Sequence, residues 1–338
     1  MTVEANLQWP VRSATNITTR IAIDNTYVGP AKNTVYNTTY GYGLVDAAKT
    51  ISAIKNMPID DVANLGGSKW FLDMIKAPEV WAKNFTGQDV VVAIVDTGID
   101  YNHTELVDNI WTNPNEIPDN NIDDDNNGFI DDVRGWDFVQ ADNTPMDLHS
   151  HGTHIAGIIS AVAPNVKLMA VRSADATGSF SLSSAARGIY YAANNGAQII
   201  NLSLGGTIPV NTLKSAIAYA VTKGCICIIA AGNYGGAVPI YPAIYTDTLV
   251  AIAVGSVGAA RKMSTFSNKS GPNVLEYVVA PGASIYSTMP GNRYGIKSGT
   301  SMATPMVAGI AALMLSANPL LTPAEIERLI SDYSSPLP

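Results

Sequence analysis

The sequence predicts an α/β fold of three layers, a mostly parallel central sheet flanked by helices. Three observations point there. The strand-like runs are continuously apolar rather than alternating, as strands buried on both faces must be; helix-like runs separate them; and glycines stop the helices. Residues 90–98, VVVAIVDTG, form a β-branched run and read as the first strand, followed by a helical pattern at 152–161 and a strand, VKLMAV, at 166–171. A helix over 182–195 stops at Gly196, a strand follows at 197–204, and a helix over 211–223 stops at Gly224. Strands CICIIAA (225–231) and TLVAIAVGSV (248–257) come next, then core-helix material at 307–315 and a helix TPAEIERLI at 322–330. Two stretches break the pattern: a polar, acidic insertion at 112–139, and residues 1–68, whose clearest signal is a short helix at 45–54. In open parallel sheets function gathers at the carboxyl ends of strands. Asp96 and Asn233 both fall at such ends.

Of 338 residues, 48 are charged, 28 acidic against 20 basic, for a net charge of −8. A chain that is 47% hydrophobic and 14% charged can bury a large core and lacks the signature of disorder. The acidic balance argues against nucleic acid as a partner, which needs clustered Lys and Arg, and no apolar run suggests a membrane span. MTVEANLQWP at the start has neither the basic nor the apolar region of a signal peptide. Cys225 and Cys227 sit on one side of one strand, so they read as inert core thiols rather than a disulfide.

All four histidines lie between 103 and 154, three of them in HSHGTH as His149, His151 and His154. Such a cluster suits a metal site or a catalytic imidazole at a helix start. The metal reading resembles the HxHxDH motif of metallo-β-lactamase-like hydrolases, but Thr153 stands where that motif needs its Asp. The catalytic reading needs an acid to orient the imidazole and a hydroxyl for it to activate. The chain offers Asp96 in IVDTGID and Ser301 in SGTSMATP, the latter opening an apolar helix whose first N–H groups are free.

These segments, VDTGID, HGTHIAG, SLGG, AAGN and SGTSMATP, stand in the order of the subtilisin-like serine proteases, whose Asp-His-Ser order they share, and the resemblance covers about residues 69–330. It implies a three-layer subtilisin-like fold and serine endopeptidase activity through an acyl-enzyme on Ser301, with His151 as base and then acid, Asp96 orienting it, and Asn233 in the oxyanion hole. Gly178, Ser179 and Phe180 match the edge along which substrate lies as an added strand. Ser203, Leu204 and Gly205, with Ala230, Ala231 and Gly232, match the walls of the pocket for the residue before the scissile bond. A peptide ligase or macrocyclase on the same fold, and a silent peptide-binding module, are the alternatives. The partner implied is a peptide or protein, and the location secreted or periplasmic. His103 and His149 gain no role and read as surface or packing residues. Met302 beside the nucleophile is expected to be open to oxidation, and Tyr241-Pro242 matches a cis proline of the family.

Three departures from the family stand out. The calcium loop that usually interrupts the helix after the catalytic His is absent, which leaves Glu105, at a ligand position, without partners. The insertion offers a substitute: Asp123, Asp125 and Asn127, with Gly128 next, follow the first half of an EF-hand loop, although Arg134 stands where its last ligand belongs; Phe129 and Asp132 are further candidate ligands, and similar Asp-rich insertions of the family bind calcium. Finally, TYGYGLVDAAKTISAI (39–54) resembles the segment that ends a subtilase domain. Residues 1–68 thus read as a displaced C-terminal end plus linker, and 69–338 as the peptidase domain. Circular permutation in cis is the simplest account, and docking onto a second copy the competitor.

Overall fold

The structure, a computed structural model, describes residues 35–337. Half of the first segment, residues 1–34, lies outside them. The helices and strands are, in chain order, α1 (Ala47–Lys55), α2 (Trp70–Met74), α3 (Ala77–Trp81), β1 (Val91–Asp96), β2 (Gly135–Asp137), α4 (His151–Val162), β3 (Lys167–Arg172) and α5 (Leu182–Asn194). There follow β4 (Ile199–Leu202), α6 (Asn211–Thr222), β5 (Ile226–Ala230), β6 (Ala251–Val257), β7 (Tyr277–Pro281), β8 (Ile285–Met289), β9 (Arg293–Lys297), α7 (Thr300–Ala317) and α8 (Pro323–Asp332).

Seven strands form one parallel sheet in the order β2-β3-β1-β4-β5-β6-β7, and β8–β9 is a separate antiparallel hairpin. Alternate residues of the strands divide the core. Val92, Ile94, Ile199, Ile226, Ile228 and Val254 join α1, α4, α7 and α8 on one face, while α5 and α6 pack on each other across the other. Cys225 and Cys227 are fully buried, and burial pushes the Cys225 thiol up to about 12, so neither is a reactive thiolate.

Helix α7 runs through the centre of its layer. Its 18 residues are as long and apolar as a membrane span, but 89% of them are buried inside the protein. Pro305 lies within it and has no N–H to give the Ser301 carbonyl; the Ser203 hydroxyl donates to that carbonyl instead, at 3.0 Å. Helix α8 starts on a full capping box, Thr322 with Glu325.

Residues 42–45 lie beside β7, with Tyr42 N–H donating to Tyr277 O at 2.9 Å and Val279 N–H to Gly43 O at 2.8 Å. On their other side Leu44 exchanges two hydrogen bonds with Ser335, at 2.8 and 2.7 Å. A methyl at Gly41, whose φ is +60°, would fall 2.2 Å from Tyr277 O, so the turn admits only glycine. Helix α1, capped by the Asp46 carboxylate, buries Ala47 and Ile51 in the same core as α7.

The elements differ from the sequence reading in places with a physical cause. The strand expected at 197–204 is confined to Ile199–Leu202, because Ser203–Gly205 leave the ladder to wall the cleft. The acidic insertion conceals β2, a short edge strand whose Asp137 pairs with buried Arg172. The Tyr241-Pro242 bond is cis.

Candidate active site

Asp96 is the last residue of β1 and fully buried. Its Oδ1 accepts from Thr97 N–H at 2.8 Å and lies 2.7 Å from His151 Nδ1. That contact makes Nδ1 the protonated nitrogen and leaves Nε2 as an acceptor toward the cleft. His151 opens α4 after Ser150, held at a left-handed φ of 96°. The conformation is imposed by Asp147. Its Oδ1 accepts from the N–H groups of His149 and Ser150, both at 2.8 Å, and from the Thr97 hydroxyl at 2.9 Å; its Oδ2 accepts from Thr153 N–H and Oγ1. Thr97 Oγ1 in turn accepts from Gly152 N–H at 2.9 Å. The strand end and the helix start are thus tied through one buried carboxylate with five donors, which satisfies it. The sequence reading missed Asp147, Thr97 and Thr153, which act only through contacts that no spacing rule announces.

Burial works against a charged His151, but the charge and hydrogen bond of Asp96, with Asp147 behind, outweigh burial and the opposing Lys297, and its pKa is raised. His154, fully buried, is held neutral: desolvation lowers it to about 4, and its Nε2 lies 3.1 Å from Ile285 O and 3.2 Å from Gly295 O.

Ser301 is the second residue of α7 and half-buried. Its Oγ donates to Ser203 O at 3.4 Å, and no hydrogen bond to His151 is formed; such bonds are often loose until substrate binds. Asn233 follows β5. Its Oδ1 accepts from Thr300 N–H at 2.8 Å and Thr300 Oγ1 at 3.0 Å, and because a backbone N–H can only donate, the amide nitrogen must face the other way. The Ser301 N–H, a first-turn donor of α7, makes no hydrogen bond among the described residues.

These groups share a cleft of about 390 Å³, lined also by Gly178, Phe180, Leu204, Gly205, Ala230, Gly232 and Ile240. Gly232 sits at φ +110°, and a methyl there would lie 2.9 Å from the Ile240 side chain. One expected wall residue and one expected edge residue do not line it. Ala231 is fully buried, its N–H spent on Val254 O, and the Ser179 hydroxyl turns toward Thr177. His149 does line the cleft, its ring against Gly178 and 6.4 Å from that of His151, while His103 is fully buried against Tyr294. Met302 is 2% exposed: one residue past Ser301 the helix has turned by about 100°, into the core, so the expected open thioether is withdrawn from solvent.

The acidic insertion brings one carboxylate oxygen each from Glu116, Asp123 and Asp125 within 4.8 Å of one another. Glu116 lies outside the EF-hand spacing and was missed. Asp132 is not in that trio; Tyr191, Asn113 and Asn127 all donate to it, and burial raises it to about 6. Asn127 Oδ1 accepts from Phe129 N–H, and the Phe129 ring packs on Trp136, Phe138 and Tyr191. Glu105 neighbours Tyr294 and is not in the trio.

Residues 87–335 match the subtilase family. Over 244 residues the chain is 42% identical to the "Thermophilic serine proteinase" of Bacillus sp. (strain AK1), an alignment covering 69% of this chain and 53% of that protein, about half of the relative's length. It is 41% identical over 252 residues to "Thermitase" of Thermoactinomyces vulgaris, covering 72% of this chain and 80% of the relative. A solved structure, "Crystal structure of a cold adapted subtilisin-like serine proteinase", superposes with a TM-score of 0.60 at 33% identity, over 72% of this chain and 82% of that one. A parallel sheet that delivers Asp96 and His151 to one cleft with Ser301, on a chain matched to this family over most of its length, leaves one assignment: the protein belongs to the subtilase family of serine endopeptidases.

Proposed function

We propose that the protein hydrolyses peptide bonds through an acyl-enzyme on Ser301. The observation that carries the reading is the 2.7 Å Asp96–His151 pair facing the same cleft as Ser301 and the Asn233 amide. Substrate lies along Gly178–Phe180, with the side chain before the scissile bond between Ser203–Gly205 and Ala230–Gly232. Ser301 Oγ attacks the carbonyl carbon as its proton passes to His151 Nε2, and Asp96 stabilises the imidazolium. The negative oxygen that forms is met by Asn233 Nδ2 and the Ser301 N–H. His151 then gives the proton to the leaving amine, and a water, deprotonated by the same imidazole, frees Ser301. The product distinguishes hydrolysis from ligation: peptide incubated with the enzyme and a large excess of a second amine yields free acid masses on this account, and spliced masses on the other.

The insertion supports a structural calcium ion. Oxygens within 4.8 Å of one another suit the 2.3–2.6 Å shell of calcium, so Asp123 and Asp125, with Glu116, would hold the ion, which would cross-link the loop. Calcium at a hundredfold excess over its Kd then stabilises the fold by about 2.7 kcal/mol. A melting temperature equal in EGTA and in millimolar calcium would contradict this.

The pairing of Leu44 with both β7 and Ser335 supports reading residues 39–54 as a displaced C-terminal end of the domain that completes the fold in cis, joined to the rest through a linker at 56–68. A secreted or periplasmic location is part of the same proposal, and fractionation of the producing cell tests it.

A further inference from the structure

The HSHGTH run places three imidazoles in residues 149–154, and the structure uses each differently. His154 is fully buried and its Nε2 is spent on Ile285 O and Gly295 O, so it offers the cleft nothing. His151 holds its Nδ1 proton toward Asp96 and turns Nε2 to the cleft. His149 is exposed, lines the same cleft, and makes no side-chain hydrogen bond among the described residues. Its ring is seated against Gly178, where a methyl would lie 3.1 Å from Cε1 and Nε2, so the bare backbone there makes room for it. Two imidazoles, each with a nitrogen that has no protein partner, thus face one open cleft.

Zinc binds an imidazole nitrogen at about 2.0–2.1 Å, which sets each ring centroid about 3.2 Å from the ion; two such rings lie about 5 Å apart at a tetrahedral angle and about 6.5 Å apart when collinear. The centroids of His149 and His151 are 6.4 Å apart, inside that span, and rotation of the exposed His149 ring brings them toward its tetrahedral end. The Asp96–His151 pair already supplies what a metal-ligating histidine needs behind it, a carboxylate that holds the other N–H, fixes the tautomer and makes the outward nitrogen a better ligand. No third His, Cys, Asp or Glu joins the two among the described residues, so water would complete the shell. Imidazole donors suit zinc and copper(II), whereas calcium and magnesium take oxygen. Resting on the endopeptidase reading, we infer that His149 and His151 form a two-histidine site for a zinc or copper(II) ion that reversibly silences the enzyme. While the Nε2 lone pair is donated to the metal it cannot receive the Ser301 proton, and departure of the ion frees it again. His149 supplies the second donor that one imidazole alone lacks.

Zinc is the probe, with millimolar calcium present to compete for the acidic trio of the insertion. Calorimetric titration of Ser301→Ala, which needs no catalysis, should show a zinc site that weakens by at least about tenfold in Ser301→Ala/His149→Ala, since loss of a ligand costs no less than loss of an outer-shell partner. In the parent, zinc at ten times that Kd should lower both kcat/KM for a peptide and the rate of fluorophosphonate labelling of Ser301 about tenfold, as mass action requires of an ion that excludes the active form. Magnesium should do neither, and a zinc-selective chelator should restore both. His149→Ala, compared with its own metal-free rate, should escape the inhibition at the same zinc concentration. Zinc affinity or inhibition that is equal with and without His149 overturns the inference alone. A metal-free parent that neither cleaves peptide nor takes the label overturns the endopeptidase reading and the silencing with it, while the calorimetry separately decides whether the two histidines hold zinc.

Discussion

At the residue scale the site divides into groups that would touch the reacting atoms and groups that hold them. The first were legible in the sequence, because Asp96, His151, Asn233 and Ser301 stand in motifs. The second were not. Asp147 reaches residues on both sides of it in the chain, and Thr300 fixes the Asn233 amide through its own N–H and hydroxyl; neither has a signature apart from its contacts. The Asn233 orientation carries a prediction. Asn233→Ala should lower kcat by about 10²–10³, the size known for removing this donor in a subtilisin, with little change in KM, since the donor acts on charge that appears only in the transition state. Steady-state kinetics on a peptide ester or amide checks it, and a loss confined to KM would place Asn233 in ground-state binding instead.

At the scale of elements, continuous β-branched runs revealed the central strands, while β2 and the β8–β9 hairpin escaped. β2 has three residues inside an acidic loop, and the hairpin strands, IYSTM and RYGIK, mix polar and charged residues with apolar ones, so neither offers an apolar run. These overlooked elements border two buried groups whose titrations oppose each other. His154, beneath the hairpin, falls to about 4 in the folded state, so between that pH and its ordinary 6.5 the unfolded chain binds a proton that the native one does not, and stability rises with pH. Asp132, inside the insertion, is raised to about 6 from 3.8; over that window the native state holds the extra proton, and stability falls as pH rises. Each shift of just over two pH units is worth about 3 kcal/mol, so the two nearly cancel in the parent. Asp132→Asn removes one side of the balance. Its stability relative to the parent should therefore climb by about 2–3 kcal/mol from pH 4 to pH 6.5, by urea denaturation in EGTA; a constant difference would mean that Asp132 is ionised across the range.

For the whole molecule, the resemblance of residues 39–54 to the end of a subtilase domain made their likeness readable, but the partner they pack on was not, since cis and trans docking bury the same side chains. In the structure Ile51 is fully buried with α7 of the same chain, and Leu44 bridges β7 and Ser335. Ile51→Ala should cost about 2–5 kcal/mol. In cis docking the melting temperature of parent and variant alike is independent of protein concentration over a hundredfold range; a rise with concentration would signal exchange between copies. The parallel sheet, the helix starts at His151 and Ser301 and the turn at Asn233 converge on one claim, that Ser301 is an activated nucleophile. A fluorophosphonate probe tests it most directly. The account predicts one adduct, mapped by peptide mass to Ser301, absent in Ser301→Ala and strongly slowed in His151→Ala, with both variants melting as the parent does. A folded parent that takes up no label, or takes it elsewhere, would contradict it.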